Sequence, residues 1–380
     1  MERVDLYEEN LIGGGFIELP ESIGNLKILK VIQVGYNPTK KFPHALGALK
    51  NHEELRAPGC KMEGEIPTEI GELSMLRILI LRSNERVNVP RTIVMLPLLQ
   101  MLDLNTCSEI QELPELPSSL TDLVLESHSL QFVPDLSNLT NLVRLILSDG
   151  SLVGGTTSLR LTCDMRWLRS LSKLNELNSC LLNIPTPPTE LSSLSFLEKL
   201  TLYGLDLQSL TELPPSLLYL RVHSFNSAGL PMSNLRNLST FRLSRSEVKE
   251  IQLDGLHQLA SLSVSDCELL ERLSFPSIIN EISVIGCPKL VEVHFLGVLE
   301  SLERLVIERC ESFERLSFLL EQGCDELTFC EGRLSLLSSA FRKLTEFSVV
   351  ECPKLVEIKL SVFWNYWRYF LWMGVWLWKD

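Results

Sequence analysis

The chain has 380 residues, with 35 lysines and arginines against 48 aspartates and glutamates, for a formal net charge of −13 and a pI near 5.1. That balance excludes general nucleic-acid binding, which needs a basic footprint to neutralise phosphates; the acidity itself reads as solubility. At this length a single globular core would be unusually large, yet no boundary to a second domain is visible.

Residues 1–15 form a lead-in without the apolar stretch of a secretory signal. From residue 16 to about 360 a leucine pattern recurs. One copy places Ile70, Leu73, Leu76, Leu79, Leu81 and Asn84; the next places Ile93, Leu96, Leu99, Leu102, Leu104 and Cys107. This is L-x-x-L-x-x-L-x-x-L-x-L-x-x-N/C, the leucine-rich repeat. Its closing position runs through Asn37, Cys60, Asn84, Cys107, His128, Gly150, Leu182, Leu205, Phe225, Ser246, Cys267, Cys287, Cys310, Cys330 and Cys352. Successive intervals are 20–24 residues except for one of 32 after Gly150. A repeat of this length cannot bury its own apolar face, so copies must stack. The expected fold is an α/β solenoid of about 15 repeats, a horseshoe with a parallel concave sheet and a convex side of short helices, 3₁₀ turns and loops.

Within a copy, alternation sets the strand faces. Leu262 and Val264 point inward, while Ser261, Ser263 and Ser265 point outward. Apolar-Pro pairs such as Leu19-Pro20, Phe42-Pro43, Ile66-Pro67 and Val89-Pro90 mark the turn away from the strand, because proline cannot extend a central strand. Segments such as residues 22–26 then form one-turn or 3₁₀ helices. Two copies are irregular. Residues 151–165, with Gly154, Gly155, Thr156 and Thr157, are either an inserted surface loop or a degenerate copy. In 311–336, Asp325 falls where a core leucine belongs.

Seven of the ten cysteines occupy closing positions, where a small side chain turns inward. Adjacent ones lie about one strand spacing apart, roughly 4.8 Å, close enough for a disulfide. In a reducing compartment they stay buried thiols. No C-x-x-C pair supports zinc. The tail, 361–380, holds five of the six tryptophans. Its 363–378 stretch is shorter than a bilayer span and carries Arg368. It fits an interfacial membrane anchor, a flap over the last repeat, or an out-of-frame gene-model error; the abrupt shift in composition favours the last. No other part of the chain suggests a membrane.

No P-loop, dinucleotide fingerprint, kinase signature or nucleophile elbow is present, and the six histidines lack metal-ligand spacing. The chain therefore reads as a non-enzyme with no cofactor and no metal. Function then falls to the exposed strand positions. Three successive strands carry Lys199, Thr201 and Tyr203; Tyr219, Arg221 and His223; and Thr240, Arg242 and Ser244, with Arg245 beside them. Lys199, Tyr203, Tyr219, Arg221, His223, Arg242 and Arg245 make an aromatic and basic patch in an acidic protein, of the residue types enriched at binding hot spots. Asp103, Asp122 and Glu126 form an earlier acidic stretch.

The early copies, such as Leu19-Pro20-Glu21-Ser22-Ile23-Gly24-Asn25-Leu26, resemble plant leucine-rich repeats. The endings Gly286-Cys287-Pro288-Lys289-Leu290-Val291-Glu292-Val293 and Glu351-Cys352-Pro353-Lys354-Leu355-Val356-Glu357-Ile358 resemble the last repeats of plant intracellular nucleotide-binding leucine-rich-repeat disease resistance proteins. The Pro117-Ser118-Ser119-Leu120 copy is most similar to the TIR-type class. The resemblance implies a cytoplasmic or nuclear recognition module in plant defence. Such a module senses a pathogen effector or a guarded host protein and regulates a nucleotide-binding partner domain; here the TIR and nucleotide-binding domains are expected to be missing. The alternatives are a general interaction scaffold for host signalling proteins and, with less support, the ectodomain of a surface receptor.

Overall fold

The computed structural model describes residues 3–5, 19–150, 165–181, 189–203, 212–223, 232, 234–253, 255–276, 278–296, 301–318, 343–355 and 357–359. Residues 151–164 of the expected insertion, 319–336 of the irregular copy and the whole aromatic tail lie outside them. The chain divides into two compact units, Met1–Leu197 and Glu198–Asp380.

Among the described residues the N-terminal unit contains ten strands: β1 (Arg3–Asp5), β2 (Val31–Gln33), β3 (Glu54–Arg56), β4 (Glu63–Glu65), β5 (Ile78–Ile80), β6 (Arg86–Asn88), β7 (Met101–Leu104), β8 (Asp122–Glu126), β9 (Arg144–Ser148) and β10 (Glu176–Cys180). Eight of them form a parallel run in the order β1-β2-β3-β5-β7-β8-β9-β10, and β4 pairs with β6 apart from it. Register follows the repeat: Leu55 faces Leu79, Leu79 faces Leu102, and Leu102 faces Leu123. These leucines and their partners Leu29, Leu76 and Leu99 are fully buried. Burial of a leucine contributes about 1.5–3 kcal/mol, and in this register each copy is buried by its neighbours.

The closing residues satisfy backbone groups that the turn out of the strand leaves open. Asn84 Nδ2 donates to the Ala57 and Leu81 carbonyls, both at 2.8 Å, and its Oδ1 accepts from Met62 N at 3.1 Å. Cys60 Sγ donates to Val34 O at 3.1 Å and Cys107 Sγ to Leu81 O at 3.4 Å. Burial pushes these two thiols up, to about 11 and about 12. The residue before the closing position is repeatedly left-handed, as at Tyr36, Ser83 and Thr106.

On the opposite side, 3₁₀ helices span Glu21–Asn25, His44–Ala48, Thr68–Glu72 and Arg91–Met95, each after a proline, with Arg166–Ser170 and Thr189–Ser193 further along. The first four stack through glycine. A Cβ on Gly24 would stand 2.7 Å from Ala45 O, on Gly47 2.8 Å from Glu69 Cβ, and on Gly71 2.6 Å from Thr92 O. Val94 takes the same position in the fourth helix. Among the described residues the next copy, which lacks a helix, gives its side chain room.

Two features of this unit differ from the sequence expectation. Strand β1 falls within the supposed lead-in 1–15 and pairs in register with β2, Val4 opposite Ile32, so the sheet begins before residue 16. At the exit of β8 the inward residue is Ser127, whose Oγ donates to Ile110 O at 2.7 Å, while His128 is exposed. Strand β9 pairs directly with β10, Arg144 opposite Glu176, so the two are neighbours in the sheet across the 32-residue interval.

The C-terminal unit contains β11 (Lys199–Tyr203), β12 (Tyr219–His223), β13 (Thr240–Ser244), β14 (Glu250–Gln252), β15 (Ser261–Ser265), β16 (Arg272–Pro276), β17 (Glu281–Ile285), β18 (Glu292–Leu296), β19 (Arg304–Glu308), β20 (Arg315–Phe318), β21 (Glu346–Val350) and β22 (Glu357–Lys359). The concave run is β11-β12-β13-β15-β17-β19-β21. Leu262 and Val264 are buried and the three serines of β15 are half-buried, as alternation requires.

Strand β19 pairs directly with β21, Ile307 opposite Val349; the closing position expected at Cys330 lies outside the described residues. One correction arises here: among the described residues the far side of this unit is not built from short helices and loops. It is a second parallel sheet, β14-β16-β18-β20-β22, with Leu273 opposite Val293 and Val293 opposite Leu316. The residues after each Cys-x-x-Leu ending, as in 292–296 and 315–318, alternate with period two, which selects strand over helix.

One core position carries a base. His52 occupies the place held by Leu29 and Leu76 in adjacent copies and is fully buried. Its Nδ1 lies 3.4 Å from Leu29 O, and Nε2 has no hydrogen-bond partner among the described residues. Burial lowers its pKa from 6.5 to about 4, against smaller raising contributions from the Leu29 carbonyl and Glu54. Because the folded value lies below the unfolded one, the neutral form's stability is full above pH 6.5 and is lost as pH falls towards 4, by about 3 kcal/mol in all. His52→Leu should therefore shrink the fall in thermal midpoint between pH 7 and pH 4.5, read by circular dichroism; an equal fall in both proteins would refute the assignment. Separately, Gly71→Ala should lower stability by about 1–3 kcal/mol through its clash with the Thr92 carbonyl. Gly255→Ala, with nothing within 4 Å of its new Cβ, should not. Urea melts of the two variants against wild type compare them directly.

Candidate protein-interaction surface

The sequence-selected residues all lie in the C-terminal unit, on three neighbouring strands. Lys199 opens β11 and faces Tyr219, which faces Thr240. Thr201 faces Arg221, which faces Arg242. Tyr203 faces His223, which faces Ser244. Between these rows Leu200, Leu202, Leu220, Val222, Phe241 and Leu243 point into the core. Alternation therefore holds nine polar and aromatic side chains on one face of a rigid support.

Arg221 Cζ lies 5.6 Å from the Tyr203 ring centroid, and Arg242 Cζ lies 5.9 Å from that of Tyr219. Both are cation–π distances. Each guanidinium thus leans diagonally onto the preceding strand. Tyr203 and His223 pack at 5.4 Å between centroids with a 38° tilt. His223 is buried, and its Nδ1 lies 2.8 Å from Ser244 Oγ. Arg245, in the left-handed region at φ 50°, is exposed at the exit of β13. Burial first, then the Arg245 and Arg221 charges, hold the His223 pKa below its ordinary value, with Asp266 acting weakly in the opposite direction. The imidazole is neutral at pH 7, and the charge of the patch comes from its arginines and Lys199.

Two other concave-strand arginines are matched by carboxylates. Arg144 pairs with Glu176 at 3.3 Å and Arg304 with Glu346 at 3.0 Å, each from the adjacent concave strand. Among the described residues, Lys199, Arg221, Arg242 and Arg245 make no ion pair.

The expected acidic stretch has a different character. Asp103 is buried and its Oδ1 accepts from Asn105 N at 3.0 Å, while Asp122 accepts from Thr121 Oγ1 at 2.8 Å. Around them sequence reasoning missed an apolar stripe on the outward face of the N-terminal unit. Ile80, Asp103, Val124 and Ile146 stand in register, and Ile78 faces Met101 beside them. The signal was the unbroken apolar runs at 78–81, 123–125 and 145–147, where alternation would place a polar residue.

Among the described residues no group of three or more His, Cys, Asp or Glu side chains is placed to hold a metal ion, and no helix is long and apolar enough to cross a membrane. The described cysteines at closing positions are free thiols. What the three strands present is a polar and aromatic surface.

Stacked parallel strands, inward leucines and inward-turned Asn or Cys closures define a leucine-rich-repeat protein. Its likeness to particular proteins is partial. It is 38% identical over 95 residues to TMV resistance protein N of Nicotiana glutinosa, a match covering 24% of this chain and 8% of that protein. It is 26% identical over 323 residues to Protein SUPPRESSOR OF npr1-1, CONSTITUTIVE 1 of Arabidopsis thaliana, covering 77% of this chain and 20% of that protein. The chain therefore spans only a minor part of the length of either relative. Among solved structures, a leucine-rich-repeat protein of Leptospira interrogans superposes with a TM-score of 0.58 at 24% identity, over 79% of this chain and 74% of that one. The functional domain of InlJ from Listeria monocytogenes, which includes a cysteine ladder, reaches 0.51 at 18% identity, over 78% of this chain and 65% of that one. At these identities the structural likeness establishes the fold. No protein-family model matches the chain.

Removing a charge next to His223 tests the patch electrostatics. In Arg245→Gln the His223 midpoint should rise relative to wild type, read by NMR titration of the imidazole. A midpoint that stays put or falls would show that the arginine does not face the ring.

Proposed function

We propose that the chain is a non-catalytic protein-recognition module of plant defence, working in the cytoplasm or nucleus. The partner is a pathogen effector or a guarded host protein, and the module transmits its engagement to a nucleotide-binding partner domain. The two curated relatives supply the biological setting: both are plant proteins, one is named for resistance to a virus, and one match extends over most of this chain.

The observation that carries the reading is the state of the arginines on β12 and β13. In a protein of net charge −13, Arg221 and Arg242 stand opposite one another in register, each held on a tyrosine ring and, among the described residues, neither matched by a carboxylate. Like charges placed opposite on neighbouring strands are destabilising. A side-chain choice that works against the fold is explained by a partner that relieves it. Tyrosine and arginine are also the side chains that most often dominate binding energy at protein interfaces.

The test is chemical cross-linking of the full chain to proteins of elicited plant tissue, with the linked residues read by mass spectrometry. Links should concentrate on the concave strands β11–β13. Arg221→Glu combined with Arg242→Glu should abolish them at an unchanged thermal midpoint. Links confined to the far sheet, or unaltered by the charge reversal, would overturn the reading.

A further inference from the structure

We propose that the occupant of the β11–β13 surface is a short, extended, carboxylate-rich segment of the partner protein. Its acidic side chains dock on the guanidinium edges of Arg221 and Arg242. This deepens the recognition reading above and rests on it.

Three observations define the occupant. The first is donor geometry. A cation–π contact attracts the guanidinium charge without supplying a carboxylate, and the guanidinium N–H groups match a carboxylate in bidentate fashion. Arg221 and Arg242 lie over the Tyr203 and Tyr219 rings, 5.6 and 5.9 Å from their centroids. The arginines are thus ordered before an anion arrives, and less conformational entropy is lost on binding.

The second is the lack of a competing intramolecular anion. Asp266 is close enough to influence His223, yet among the described residues it forms no ion pair with Arg221, Arg242 or Arg245. The third is the patch boundary. Beyond β13 the outward positions become Ser261, Ser263 and Ser265 on β15, then Glu281 and Ser283 on β17. The cationic surface thus spans two strand spacings, about 10 Å, or some three residues of extended chain. A nucleic acid long enough to bind firmly would run on to Glu281 and the other carboxylates of this unit. A peptide with a few acidic residues ends where the positive charge ends, and its next residues lie over a floor of small serines.

The probes are three fluorescein-labelled 12-residue peptides built as (Xaa-Ser-Xaa-Gly)₃, with Xaa as Glu, Gln or Lys, and a single-stranded oligonucleotide carrying the same negative charge as the Glu peptide. Binding to the full chain is read by fluorescence anisotropy at low and moderate salt. The Glu peptide should bind and weaken with salt, whereas the Gln and Lys peptides should not bind. Arg221→Gln and Arg242→Gln should each weaken the Glu peptide by about tenfold, the value of one charge-assisted hydrogen bond. Arg236→Gln, an exposed arginine off these strands, should leave it unchanged. Equal binding of the Glu and Gln peptides, indifference to both variants, or tighter binding of the oligonucleotide would each overturn the proposal. The parent reading fails separately. If tissue proteins cross-link to β11–β13 while the Glu peptide does not bind, recognition stands and the acidic segment falls. If the Glu peptide binds but the cross-links map elsewhere, the anion site stands without the recognition role.

Discussion

A parallel strand finds no partner within its own turn of chain. Every N–H and C=O that a concave strand presents must be met by the turn before and the turn after, and so must the apolar face it carries. Leu79 is buried because Leu55 and Leu102 flank it in register, and Ala57 N is satisfied because Ile80 O is one strand away at 2.8 Å. The other recurring features serve this nearest-neighbour arrangement. Asn84 bonds back to the preceding turn twice, donating to Ala57 O and accepting from Met62 N. Gly24, Gly47 and Gly71 let the backs of successive turns approach. His52 shows the limit of tolerance: a base fits where a leucine stacks only as long as it stays neutral.

The same arrangement makes the outward positions of the strands independent of the fold. Changing Thr201 or Ser263 alters no leucine contact, so the face can take whatever a partner selects. On β11–β13 that freedom has placed two arginines opposite one another, each against a tyrosine. Matched pairs such as Arg304 with Glu346 show what the sheet does elsewhere with such charges. The difference between an arginine paired within the molecule and one left to solvent is the most informative contrast on the surface.

Much of this was legible in the sequence. Inward leucines recur at fixed spacing, and a period-two alternation names the outward residues without any coordinates, so all seven patch residues could be placed on three strands. The contacts among them could not be named, because a cation–π pair between Arg221 and Tyr203 depends on register and on a diagonal reach across strands. Closing positions were legible where the loop length was standard and slipped by one at Ser127, where a five-residue strand ends without a left-handed residue. Regular spacing also could not reveal that β19 pairs directly with β21. The second sheet escaped because the Cys-x-x-Leu endings drew the eye to the closing residue rather than to the alternating segment after it. The stripe at Ile80, Val124 and Ile146 escaped for the converse reason: an unbroken apolar run hides which residues face out.

The column of Cys267, Cys287, Cys310 and Cys352 has a further consequence. Each thiol sits one rung from the next, the first three are buried, and Cys352, on the last described concave strand, is only partly covered. Hydrogen bonds to neighbouring thiols, together with burial, raise the pKa values of Cys287 and Cys352. A sulfur in this column reacts with an outside reagent only after the rung above it has opened. In a stack stabilised rung by rung, opening starts at an end, so the order in which these thiols are modified records how far the array has unzipped. The column is a graduated scale for fraying, written into the chain by the residues that close its turns.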